Sequence, residues 1–185
     1  RLGLAALGRL DAVQVAGEAL VDLAEKTERT ALLTVWGERG PTIVRWQRSS
    51  RSVVTSLALG SVLPVLNSAT GHVFIAFLPR LLTRARIEEE RARAAEEGRP
   101  VPMEEIEALI REVRRRRLAR VEGNLIPGLR AVSAPILDHQ GEAAAAVTVI
   151  GSQNGRPGEE ETVVAQTAGI AAAASARLGF REKQA

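Results

Sequence analysis

Two pairs of β-type runs, one pair towards each end of the chain, are each split by a turn: "TALLTVW" and "TIVRWQ" flank "GERGP", while "GLRAVSAPILD" and "EAAAAVTVIGS" flank "HQG". Alternating apolar residues on both sides of a glycine-containing turn predict a hairpin. Alanine is a poor strand former, but the alternation leading into Val147, Val149 and Ile150, with a hairpin turn before it, outweighs propensity. Helical patterns lie between and outside the hairpins. Residues 11 to 26 place Ala12, Val13, Ala16, Leu20, Leu23 and Ala24 on one stripe, with "RLGLAALGRL" as lead-in. Two polar helices are expected over roughly 80 to 97 and 102 to 118, either side of "GRPVP", and "EETVVAQTAGIAAAASARLGF" reads as a long closing helix. Hairpins at both ends with helices around them predict an α/β (α+β) sandwich, a mostly antiparallel sheet with helices on both faces. Trp36 and Trp46 fall on the two arms of the first hairpin, where they read as sheet-packing residues, or else as a subunit contact.

With 185 residues and 45% hydrophobic composition the chain suits one globular domain. The strict βαβ rhythm of a nucleotide-binding sheet is missing. No G-x-x-x-x-G-K, G-x-G-x-x-G or G-x-S-x-G occurs, so the motifs of NTPases, dinucleotide enzymes and serine hydrolases are absent. There is no cysteine, hence no disulfide, thiolate zinc site or cysteine nucleophile, which fits a reducing, cytoplasmic setting. The two histidines, His72 and His139, lie on distant segments, so no metal site and no cofactor is expected. Net charge is only +3 although arginine raises the pI to about 10.4, and that value is no DNA footprint. The basic run "REVRRRRLAR" reads instead as a solvated helix face, with Glu107 and Arg111, and Glu112 and Arg116, paired at i, i+4. No apolar run reaches about 18 residues, so no membrane span or membrane partner is expected. The start at Arg1, without methionine, is expected of a piece of a longer protein.

"NSATGHVFIAF", residues 67 to 77, sets a small polar cluster against an apolar run. Asn67 or Ser68 suits an N-cap, its side-chain oxygen accepting a backbone N–H, with Val73 to Phe77 turned inward and Pro79 ending the helix. The first amides of such a helix are free, and with the dipole they attract an anion. His72 has no Ser, Asp or Glu at a helical spacing that would make a dyad, so no catalytic residue is assigned. His139 and Asp138 read as turn residues.

In order and spacing, "RLG" at the start, "LGSVLPVLNSATGHVFIAFLP" at 59 to 79, "GLRAVSAPILDHQGEAAAAVTVIG" at 128 to 151 and the final helix resemble the C-terminal, effector-binding domain of IclR-type bacterial transcriptional regulators, whose fold is similar to the GAF domain. The resemblance implies a non-enzymatic ligand sensor. It implies residues 1 to 10 as the end of an interdomain linker, residues 11 to 185 as the effector domain, and an N-terminal winged helix-turn-helix domain, absent from this chain, as its only contact with DNA. It also implies a homodimer or a dimer of dimers. Carried over by position, the ligand pocket falls on Thr55, Leu63, Ala69, Thr70, Val121, Leu129, Ala131, Thr148 and Ile150. Thr148 and Ile150, two apart on one strand, face the same side. The family's lysine after the small-residue loop is His72 here, and its acidic cluster before Gly-Leu is reduced to Glu122. Val121, Ala131 and Ile150 stand where members binding small polar acids carry polar or acidic residues. An apolar wall penalises a compact charged ligand and suits a larger apolar one, so the expected small-molecule effector is an aromatic or hydrophobic acid.

Two other functions compete. One is a small hydrolase or isomerase using His72 with Thr70 or Asn67, which requires His72 to face a cavity beside a hydroxyl or carboxylate. The other is a structural oligomerisation module, in which side chains fill the space that a sensor leaves open. Thr148→Phe is expected to abolish an effector response without disturbing fold or dimer.

Overall fold

A computed structural model describes residues 2–51, 53 and 55–182, with side chains from residue 11 onward. Arg1 of the expected linker, and Ser52, Val54 and residues 183–185 of the expected effector domain, lie outside the described residues. The elements in order are α1 (Leu2–Thr27), β1 (Thr30–Gly37), β2 (Gly40–Gln47), α2 (Ala69–Phe77), α3 (Arg80–Glu96), α4 (Met103–Arg116), β3 (Ala119–Glu122), β4 (Leu129–Leu137), β5 (Ala143–Ser152) and α5 (Glu159–Arg177). The lead-in expected before residue 11 is itself helical and forms one unbroken helix with residues 11 to 27.

The strands form one sheet in the order β2-β1-β5-β4-β3, and every neighbouring pair is antiparallel. Both expected hairpins are present, β1 with β2 and β4 with β5, and the first strand of one pairs with the last strand of the other. This β1–β5 pairing joins sequence-distant hairpins into a single sheet. Both faces are covered. On one face, Ala31, Leu33, Val132, Ala134, Ile136, Val147 and Val149 pack against Ala16, Leu20, Leu23 and Ala24 of α1 and Val163, Ile170, Ala171 and Ala174 of α5. On the other, Ala119, Val121 and Ala146 pack with Val73, Phe74 and Ala76 of α2 and Ile106, Ile110 and Val113 of α4. The spacing of that last trio, i, i+4 and i+7, is the apolar stripe of an amphipathic helix. Trp36 reaches Phe74 with ring centroids 5.8 Å apart, and Trp46 packs, half-buried, against Leu32, Ile43, Leu63 and Ile150.

The helix expected to run to residue 118 stops at Arg116, because Arg117 takes a left-handed conformation with φ 50°. The chain then enters a strand absent from the sequence reading, β3, which pairs with β4. The basic run is partly neutralised: Glu112 pairs with Arg115 and, as expected, with Arg116, while Arg114 Nε donates to Ala76 O at 2.6 Å. Glu107 pairs not with Arg111 but with Arg80 of α3.

Candidate functional site

The site is built where α2 begins. Ser68 is the N-cap: its hydroxyl accepts from Gly71 N at 2.8 Å and donates to Pro64 O at 2.6 Å. Of the two candidates for that role, Ser68 holds it rather than Asn67. The preceding segment is fixed from α3, where Glu90 accepts from Val65 N at 2.7 Å and Leu66 N at 2.8 Å. Gly71 lies so close to this segment that a Cβ would stand 2.2 Å from Pro64 O. With Gly71 N taken by Ser68, the amides of Ala69 and Thr70 are first-turn donors with no acceptor inside the helix.

Under this helix start lies a cavity against the sheet, lined by Leu32, Leu57, Leu63, Ser68, Ala69, Thr70, Val121, Asn124, Leu125, Ile126, Leu129, Arg130, Ala131, Thr148 and Ile150. Its empty space, open solvent at the mouth included, is about 420 Å³, and little of it is wide enough for water, which describes a slit rather than a chamber. Register explains the common face. Leu32 opposes Thr148, Ser133 opposes Thr148, Ala131 opposes Ile150 and Val121 opposes Ala131 across neighbouring strands, so all point to the side carrying α2. Arg130, one residue along from Ala131, turns its guanidinium to the opposite face, where it reaches Glu160 of α5 at 3.2 Å and Gln153 O at 2.7 Å. Arg130 thus borders the cavity while its guanidinium is paired at the far face.

Beneath the slit three buried hydroxyls are joined: Thr70 Oγ1 is 2.7 Å from Thr148 Oγ1, which donates to Ser133 Oγ at 2.8 Å. His72 is turned away from this row. Its Nε2 lies 2.7 Å from Leu66 O, a carbonyl that can only accept, so Nε2 carries the proton and Nδ1 is left buried without a partner. Burial holds its pKa below the ordinary 6.5, the bond to Leu66 opposing only in part. His72 is not among the lining residues, and Thr70 bonds Thr148 rather than His72, so the arrangement a His72 hydrolase requires is not present. Among the described residues no group of His, Asp and Glu could hold a metal ion.

Eight of the nine residues placed in the pocket from the sequence line this cavity: Leu63, Ala69, Thr70, Val121, Leu129, Ala131, Thr148 and Ile150. Thr55 does not; its hydroxyl accepts from Leu57 N at 3.2 Å, and this local turn delivers Leu57 to the lining in its place. Leu32, Leu57, Ser68, Asn124, Leu125 and Ile126 were not foreseen as lining. The loop carrying the last three is bounded by Gly123 and Gly128, both at positive φ, and those glycines are the signal that could have marked it. A second, shallow groove runs between α1 and α5. Its rim charges are already paired, Lys26 with Asp22 at 3.1 Å and Arg177 with Glu18 at 2.6 Å.

The family model of the C-terminal domain of bacterial IclR transcriptional regulators matches residues 4–177. Among solved structures, the crystal structure of HmgR from Pseudomonas aeruginosa is 35% identical, with a TM-score of 0.82, covering 99% of this chain and 73% of that one. The IclR of Thermotoga maritima shares 19% identity with a TM-score of 0.78, over 96% of this chain and 74% of that one. The Agobacterium tumefaciens repressor BlcR shares 19% with a TM-score of 0.71, over 92% and 68%. These last two likenesses concern the fold alone. Among curated proteins, none matches this chain in sequence.

Proposed function

This chain belongs to the IclR family of bacterial transcriptional regulators, corresponding to their C-terminal domain, and we infer that it is the ligand-sensing and oligomerisation part of such a regulator. The observation that carries the reading is the slit between α2 and the sheet, with mainly apolar walls, the first turn of α2 in its lining and buried hydroxyls beneath. An effector with one carboxylate fits that polarity, its anion at the Ala69 and Thr70 amides, where donors and the helix dipole act together. Leucine and isoleucine walls in a narrow recess favour a flat apolar body, an aromatic or otherwise hydrophobic acid. A compact dianion would lose its hydration with no cationic side chain to replace it.

In the longer regulator, residues 1 to 10 would end the connection to an N-terminal winged helix-turn-helix domain that alone touches DNA, with the protein acting as a dimer or dimer of dimers. Effector binding then biases two arrangements of the assembly, a coupling of about 1–3 kcal/mol in typical cases.

The test is a thermal-shift titration of this chain with mono- and dicarboxylic acids, aromatic acids and acyl compounds. Saturable stabilisation by aromatic monocarboxylates is expected, reaching about 2.7 kcal/mol at a concentration 100 times Kd. Ala131→Phe, which fills the slit without touching the hydroxyl row, is expected to abolish the shift while the unliganded domain stays folded. It is a cleaner choice than Thr148→Phe, because Thr148 is hydrogen-bonded on both sides. An unchanged ligand response in Ala131→Phe would place the site elsewhere.

A further inference from the structure

The two outer edges of the sheet are finished differently. β2 is covered by its own chain: Ile43 N donates to Ser61 O at 3.0 Å, Gly60 N to Ile43 O at 2.8 Å and Leu63 N to Pro41 O at 2.8 Å. Thr42 and Val62 are bridged antiparallel within that cover. At the other end β3 pairs with β4, and among the described residues no backbone hydrogen bond meets its outer side. An open edge presents a row of unpaired N–H and C=O groups, which folded proteins commonly blunt with proline, lysine or a bulge. β3 has none of these: its sequence is ARVE and its register against β4 is unbroken. Left-handed corners at Arg117, φ 50°, and Gly123, φ 70°, bound it on either side.

The side chains of β3 are self-complementary. Ala119 and Val121 are buried on the α2 side, while Arg120 and Glu122 alternate with them on the other side and are exposed. A second copy added across a two-fold axis normal to the sheet runs antiparallel and keeps these faces matched. With the axis at Val121, that residue meets its own equivalent, and Arg120 meets Glu122 of the second copy, twice by symmetry. A slip of two residues sets Arg120 against Arg120, or Glu122 against Glu122, and like charges directly opposite are destabilising. A slip of one residue lays the charges against the buried apolar pair. One register therefore matches charge with charge and hydrocarbon with hydrocarbon. Within the chain the two charges are loosely held, Arg120 lying 4.0 Å from Glu161 and Glu122 3.9 Å from Arg130, at the outer limit of an ion pair.

We propose that the outer edge of β3 docks a second copy of this chain, antiparallel about Val121, so that two five-stranded sheets run on as one. The inference rests on the oligomerisation part of the reading above and gives it a surface. Val121 also lines the cavity, so the seam and the cavity share a wall.

The experiment is sedimentation equilibrium of this chain and its charge variants, with melting curves to check that each is folded. Arg120→Glu turns both contacts between copies from attraction to repulsion, and Glu122→Arg does the same. Each is expected to weaken dimerisation about thirtyfold. The double variant R120E/E122R is expected to return to within about threefold of the unaltered chain. It leaves the contacts to Glu161 and Arg130 reversed, so its recovery reports the contact between copies alone. A chain without cysteine allows an independent readout. Opposed Cα atoms of antiparallel strands lie about 4.5–5.5 Å apart, within disulfide range, so Val121→Cys is expected to form a covalent dimer on mild oxidation. Glu38→Cys, in the exposed turn between β1 and β2, is expected not to cross-link under the same conditions. A dimer that folded R120E and E122R leave unchanged, or a folded Val121→Cys that does not cross-link, overturns the proposal and leaves oligomerisation through another face standing. A chain that stays monomeric at every concentration overturns both.

Discussion

Gly71 and Gly169 both stand inside helices, and the same replacement by alanine is expected to change stability in opposite directions. Intrinsic propensity favours Gly→Ala at either position by up to about 1 kcal/mol. At Gly169, on the exposed side of α5, a Cβ meets nothing within 4 Å, so that gain is expected to appear nearly whole. At Gly71 the Cβ would stand 2.2 Å from Pro64 O, 2.5 Å from Val65 Cα and 2.8 Å from Val65 O. Carbon–oxygen approaches in folded chains settle at about 3.3 Å or more, so α2 and the 64–65 segment must part by about 1 Å. All three obstacles are backbone atoms, and no rotamer change relieves them. The Ser68–Pro64 bond spans the same contact and stretches with it. Overpacking of this kind costs about 1–3 kcal/mol and one lost hydrogen bond about 1 more, against about 1 regained from propensity. The expected net loss is about 1–3 kcal/mol, or about 2–12 °C in Tm for a domain of this size. Urea unfolding followed by circular dichroism, at pH 7 for all three proteins, measures both shifts. Gly169→Ala serves as the internal control. A Gly71→Ala domain as stable as the unaltered chain would refute the close packing of α2 on residues 64 and 65, and with it the geometry that brings Thr70 onto Thr148.

Three further outcomes are expected. Because burial lowers the His72 pKa in the folded state, the unfolded chain binds its proton more readily; the contribution of His72 to stability is complete above pH about 6.5 and is lost as pH falls towards the lower folded-state value. His72→Gln should flatten the fall in Tm between pH 7 and 5, and an unaltered slope would show the histidine uninvolved. Glu90→Gln keeps an acceptor for only one of the two amides at Val65 and Leu66 and removes the charge, so denaturant titration should register a loss of about 1–3 kcal/mol. Gly151→Ala would drive a Cβ to 2.8 Å from the buried guanidinium of Arg29, which ion pairs to Glu160 hold in place, and about 1–3 kcal/mol should be lost in the same assay.

The hairpins were legible because period-2 alternation and glycine turns are local signals, and the start of α2 because a serine cap before an apolar run is equally local. What failed was either too short or too distant in sequence. β3 offers two inward residues, Ala119 and Val121, directly after a helix whose end carries no glycine, since Arg117 itself adopts the left-handed turn. In the cavity, positions on β4 and β5 could be assigned to one face by counting in twos. Leu32 could not, because its place beside Thr148 depends on β1 pairing with β5, a contact between residues more than a hundred positions apart. Thr55 and Leu57 are separated by a side-chain-to-backbone turn in an irregular loop, where no periodicity says which of them turns inward.

The sheet divides the site electrostatically, and that division bears on how the cavity can select. Alternation along β4 sends Leu129 and Ala131 to the slit and Arg130 to the far face. There Arg130 and Arg29 share Glu160, each at 3.2 Å, and Arg29 also lies near Glu159. This cluster of charges sits behind the strands, while the slit in front is walled mainly by hydrocarbon, with buried hydroxyls and Asn124 among its polar residues. A cation in the slit would attract any carboxylate in nearly any orientation, since Coulomb attraction has little angular preference. Amides and hydroxyls bind only along their own axes, and each hydroxyl's single hydrogen makes the direction of donation part of the shape being read. In the proposed sensor, a cavity of this composition would trade raw attraction for discrimination among acids of similar size. That is the property a sensor needs when related carboxylates are present together.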